Sequence, residues 1–130
     1  MYTMTDNQAV LDVLDSLYRA WSAGDADGIA RLYAQDATVI LPGVYHSGPD
    51  AVRTWFTAGF EGRLKGSRTL DESRAVRFYG DSTAVVTSQG GIILAGEDSV
   101  GPLVRATWVL TRDDGQWLIA AYHNCPVQAG

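Results

Sequence analysis

The chain has 130 residues, a formal net charge of −5 and 46% hydrophobic residues. That length suits one domain, and the apolar share supports a sizeable core rather than a disordered chain. The acidic balance, with no Lys/Arg run, excludes nucleic acid and anionic membrane as main partners, because phosphate binding needs a basic surface.

No apolar stretch reaches the length of a membrane span, about 18 residues or more. Residues 1–6 are polar and lack the basic region and apolar run of a signal peptide. The single cysteine, Cys125, cannot form an internal disulfide. These features together predict a cytoplasmic protein. Aromatic residues are numerous, with four Trp, six Tyr and three Phe. They fill cores, and they also line ligand cavities, since Trp and Tyr combine apolar area with a polar handle.

In chain order, residues 6–23 read as a helix. Val10, Val13, Leu14, Leu17, Tyr18 and Trp21 form one apolar stripe. Thr5 and Gln8 have capping-box spacing, and Gly24 ends the helix. Asp25 caps a second helix running to about Ala34, with Ile29, Leu32 and Tyr33 on its buried side. A strand spans Thr38–Leu41 and stops at Pro42-Gly43. A loop carrying His46 leads to a third helix, which opens at Ser47-Gly48-Pro49 and buries Val52, Trp55, Phe56 and Phe60.

The second half reads as strands at Thr69–Tyr79, Thr83–Leu94, Val104–Thr111 and Trp117–Asn124. Gly80-Asp81 is a tight turn and Asp113-Asp114-Gly115 a hairpin signal. Gly90-Gly91 inside a strand suggests a bulge or sharp bend. Helices followed by a four-strand antiparallel meander indicate α+β layering, and a curled sheet with helices across its mouth would enclose a cone-shaped cavity. There is no repeat or linker, so one domain covers residues 1–130, with 1–5 and 127–130 expected to be flexible.

Several stretches resemble a known superfamily. They are Ala20-Trp21-Ser22-Ala23-Gly24-Asp25-Ala26-Asp27, Tyr33-Ala34-Gln35-Asp36-Ala37, Gly48-Pro49-Asp50-Ala51-Val52 and the ending from Asp114 to Asn124. Over about Asn7 to Pro126 the chain is similar to the nuclear transport factor 2-like (NTF2-like, SnoaL-like) superfamily. That resemblance implies a cystatin-like cone: three N-terminal helices on a strongly curved, mainly antiparallel sheet. Lys65-Gly66-Ser67-Arg68, Ala75-Val76-Arg77-Phe78, Gly90 to Glu97 and His123-Asn124 are most similar to the SgcJ/EcaC group. The group implies an accessory role in enediyne polyketide biosynthesis, next to a polyketide synthase. Related SnoaL-type cyclases, isomerases and dehydratases place acid/base side chains inside the cone, while other members catalyse nothing.

The residues offer their own candidates. Carbon-acid chemistry needs a base and donors for the developing oxyanion. His123 is the obvious titratable group, and Asn124 could hydrogen-bond a carbonyl. Neighbours in a strand point to opposite faces. Trp117, Ile119, Ala121 and His123 therefore share one side, and Leu118, Ala120, Tyr122 and Asn124 the other. Periodicity does not choose between them. The plainer alternative for His123 is a strand-end residue satisfied by backbone.

The acidic candidates are Asp71, Glu72, Glu97 and Asp98; Asp71 and Glu72 are adjacent on a strand, so one points to each face. Glu72 is retained as a third catalytic candidate, beside the plainer option of an exposed or ion-paired carboxylate. Arg74 shares the Glu72 face. Arg105 suits a substrate carboxylate or enolate, and Gln89 a polar contact. Tyr18, Trp21, Tyr33, Trp55, Phe56 and Trp108 are expected to form the wall or core, and His46 to be a surface residue. Nothing suggests a metal site or a dinucleotide fingerprint, so no metal or cofactor is expected.

Three functions remain open at this point: a cofactor-independent cyclase, isomerase or dehydratase, a non-catalytic binder of a polyene, and an assembly module. A sheet apolar on both faces predicts a homodimer.

Overall fold

The computed structural model describes residues 4–128, with the side chains of residues 6–72 and 75–128. In chain order the elements are α1 (Met4–Ser22), α2 (Ala26–Ala30), β1 (Tyr33–Leu41), β2 (Val44–Ser47), α3 (Pro49–Glu61), β3 (Arg68–Tyr79), β4 (Thr83–Ile93), β5 (Val104–Asp113) and β6 (Gln116–Pro126). The strands form one sheet in the order β2-β1-β6-β5-β4-β3. All neighbours are antiparallel except β1 and β6, which run parallel.

The stripe on α1 does what its spacing predicts: Val10, Leu14 and Leu17 are buried against the sheet. The helix begins before Thr5, so Thr5 is not its cap; its side chain and the terminal residues expected to be flexible lie mostly outside the described residues. Asp25 caps α2 by accepting the Gly28 N–H at 2.9 Å. That helix is one turn long, and the chain is already extended at Tyr33, where tertiary pairing to β6 overrides the local pattern. Pro42-Gly43 does not end the β-structure; it turns it. Gly43 has φ 74°, and β1 folds back on β2, a strand read from sequence as loop. Asp114 (φ 51°) and Gly115 (φ 76°) form the tight hairpin between β5 and β6.

The Gly90-Gly91 pair carries no bulge. Pairing runs through both residues in register. A Cβ on Gly90 would strike the Leu70 carbonyl, and one on Gly91 would meet Val100 at 2.6 Å. These glycines let bare backbone approach its neighbours. The register shifts lie elsewhere: between Ser73 and Ala75 on β3, between Tyr33 and Thr38 on β1, and opposite Val109/Leu110, where β6 carries the extra residue Ala120. Each extra residue flips the side-chain alternation of everything beyond it.

Helices α1 and α3 cross the concave face, α1 touching β3 and β6, and α3 touching β1 and β2. Between them and the sheet lies the core, with Leu14, Ile29, Leu110 and Ile119 fully buried. Among the described residues no helix is long and apolar enough to cross a membrane.

Candidate functional site

Beyond the core, toward the open ends of β3 to β6, the space between helices and sheet widens into a cavity of about 340 Å³. Aromatic rings from helices α1 and α3 and from strands β1, β5 and β6 build its walls. Trp21 meets Phe56 edge-on at 5.1 Å, and Trp55 meets Phe56 at 4.8 Å. Trp108 contacts Tyr122 at 4.2 Å and Tyr18 at 6.4 Å. The indoles are anchored by hydrogen bonds: Trp21 Nε1 donates to Ser67 Oγ at 2.8 Å, and Trp108 Nε1 to Ser88 Oγ at 3.1 Å. Buried aromatics held this way give a rigid wall.

Tyr18, Trp21, Tyr33, Trp55, Phe56 and Trp108 all border the cavity. The other sequence candidates divide by strand face. Asn124 borders it and His123 does not; His123 is exposed on the convex side. The cause is the bulge at Ala120. Trp117 and Ile119 point inward, the extra residue resets the alternation, and Tyr122 and Asn124 then take the inward positions. Simple alternation wrongly grouped His123 with Ile119.

On β3 the half-buried Asp71 faces the cavity, and Glu72 is exposed on the other side. Gln89 and Arg105 also stand on the convex face, paired across β4 and β5, with Arg105 Nε 3.4 Å from Gln89 Oε1. Neither reaches the cavity. The Arg74 side chain lies outside the described residues. His46, expected at the surface, instead borders the cavity from β2, with its ring 5.9 Å from that of Trp55.

The polar groups on the concave face form two hydrogen-bonded pairs. The Tyr18 hydroxyl donates to the Asp71 carboxylate. Burial first, and then the charge and hydrogen bond of Asp71, push the Tyr18 phenol far above its ordinary value. Asn124 Nδ2 donates to Tyr122 Oη at 2.9 Å. Burial raises the Tyr122 phenol, the Asn124 hydrogen bond pulls it down, and Asp71 raises it again. Tyr33 is pushed up by burial and then by Tyr122. All three phenols are thus neutral donors at physiological pH. Asn124 Oδ1 is buried with no partner. Among the described residues no group of His, Cys, Asp and Glu could hold a metal ion.

A carboxylate accepting from one phenol, beside a second phenol whose proton is free to donate, can exchange protons with a carbon acid and stabilise its enolate. The sequence offers Asp71 among its acidic candidates and does not choose it over Glu72, because it shows only that one of two adjacent strand carboxylates points inward.

The profile of the SnoaL-like domain family matches residues 10–127. No curated protein matches the sequence. Among solved structures, the chain is similar to a cystatin-like domain of unknown function from Nostoc punctiforme. The two share 23% identity over 98% of this chain and 81% of that one, with a TM-score of 0.90. A candidate dehydratase of the NTF2-like family from Streptomyces avermitilis is 26% identical over 96% and 98% of the two chains, with a TM-score of 0.82. A candidate scytalone dehydratase from Novosphingobium aromaticivorans is 16% identical over 96% and 86%, with a TM-score of 0.79.

Proposed function

We propose, since the chain belongs to the SnoaL-like domain family, that it is a cofactor-independent acid/base enzyme acting on a small, largely apolar carbonyl compound. Asp71 is the base. It takes a proton from the carbon next to the carbonyl, and Tyr122 donates a hydrogen bond to the oxygen that gains charge. Tyr18 orients the Asp71 carboxylate. Asn124 orients Tyr122, and its donated hydrogen bond makes that phenol a better donor. The enolate then expels a β-hydroxyl, which leaves as water with the proton held by Asp71, or takes that proton back at another carbon, or attacks a second carbonyl whose alkoxide takes it. These are dehydration, isomerisation and cyclisation respectively.

The observation that carries this reading is the Tyr18–Asp71 pair inside a largely apolar cavity. The candidate dehydratases on the same fold favour the dehydration branch. We extend the reading to a polyketide-like intermediate, including one of an enediyne pathway handled beside a polyketide synthase in the cytoplasm, which the aromatic side chains of the cavity suit. The convex face carries exposed Ile40 and Tyr45, and we further propose a homodimer through that face, measurable by sedimentation.

The test is deuterium uptake by NMR at the α-carbon of a cyclic β-hydroxy ketone in D₂O. The wild type should exchange the α-proton faster than buffer, and Asp71→Asn should not. Exchange at the buffer rate with the wild type would sink the enzymatic reading. It would favour the second one, a carrier of an apolar polyene, which the largely apolar wall also suits.

A further inference from the structure

The proposed chemistry uses the β3 and β6 side of the cavity and leaves His46 unused. His46 sits on β2, the far edge of the sheet. It pairs with Val39, which pairs in turn with Tyr122 on the same inner row. Two strand spacings separate His46 from Tyr122, roughly 10 Å along that row. His46 Nε2 is buried and has no hydrogen-bond partner, while the ring lies beside Trp55 and borders the cavity.

A buried polar nitrogen left unpaired is costly, and a turn about the broad terminal torsion of the ring can bring it to the cavity. The other orphaned buried side-chain atom among the described residues, Asn124 Oδ1, is an acceptor and borders the same cavity. The charges around the cavity also constrain the ligand. Asp71 is half-buried within it, and exposed Arg63 and Glu97, of opposite sign, stand at its border. A ligand carboxylate would meet Asp71 without a matching buried cation.

We propose that His46 is a second anchor of the pocket, hydrogen-bonding an oxygen of a neutral ligand that is oxygenated at both ends. One oxygen meets the Tyr122–Asn124 pair, a hydroxyl there donating to Asn124 Oδ1, and the other meets His46. The apolar body between them lies against the indoles. This inference rests on the concave-face site proposed above, and it specifies the substrate class as a dioxygenated ring system rather than a plain apolar one.

The test compares 2,6-dihydroxynaphthalene with its isostere 6-methyl-2-naphthol by fluorescence titration, which needs no turnover. Its outcome is therefore separable from that of the deuterium experiment. The wild type should bind the diol about tenfold more tightly, the worth of one hydrogen bond to a buried group. His46→Phe should lose that preference and still bind 6-methyl-2-naphthol, and His46→Gln should recover part of it. In ¹⁵N-histidine spectra the diol should move the His46 ring signals and leave those of exposed His123 in place. Absence of a diol preference in the wild type, a preference retained in His46→Phe, or a stationary His46 signal would each overturn the proposal.

Discussion

The two faces of the sheet are made of the same strands and differ in almost everything that matters for chemistry. The concave face presents Trp108, Tyr122, Asn124 and Asp71 to an enclosed space. The convex face presents Thr107, His123, Arg105 and Glu72 to solvent. Neighbouring residues on one strand thus meet opposite fates: Asp71 beside Glu72, and Asn124 beside His123. The concave carboxylate is held by the Tyr18 hydroxyl beneath aromatic rings, the arrangement that suits the acid/base role proposed for it.

The comparison breaks most visibly at Asp71. Asp71→Asn should lower α-proton exchange about 10²- to 10⁴-fold, the usual worth of a general base, with little change in Tm. Glu72→Gln on the opposite face should stay within twofold. Tyr122→Phe should lower the same rate about 10²- to 10³-fold, the range for losing one oxyanion donor, and should leave Asn124 Nδ2 without its acceptor. In urea unfolding, Leu110→Ala on the concave side should cost about 2–5 kcal/mol, because its side chain is fully buried. Thr107→Ala on the convex side should stay within about 0.5 kcal/mol.

The buried phenols sharpen the contrast through pH. Tyr18, Tyr33 and Tyr122 have folded pKa values raised above the ordinary 10.0. Above pH 10 the unfolded chain releases phenol protons that the folded chain keeps, so stability present below pH 10 is lost as pH rises. The loss approaches about 1.4 kcal/mol per pH unit for each phenol still protonated. Alkaline unfolding curves should therefore steepen above pH 10, and Tyr33→Phe should reduce the slope. His123→Ala should have the smallest effect of all, within twofold on exchange.

The helical stripe on α1 and the Asp114-Gly115 turn were legible because each depends on residues close in sequence. Other features were not. Strand β2 is four residues between two glycines, and only pairing with β1 makes it a strand. The bulges at residue 74 and Ala120 leave no mark in an apolar pattern, since both faces of β6 carry apolar residues. Alternation therefore could not decide between His123 and Asn124, and the bulge did. His46 looked like a loop residue because the edge strand that turns it inward was itself unreadable. Tyr18, Trp21 and Trp55 were found because helical spacing places them on the buried side whatever the sheet does.

The proposed place of ligand chemistry is the concave face, at Asp71. A crystal structure with 2-naphthol bound tests it most directly, since a phenol mimics an enol in shape and polarity. The account predicts the naphthol ring against Trp108 and Trp55, with its hydroxyl within hydrogen-bond reach of Tyr122 or Asp71. A naphthol seated on the convex face beside His123, with the cone left empty, would contradict it.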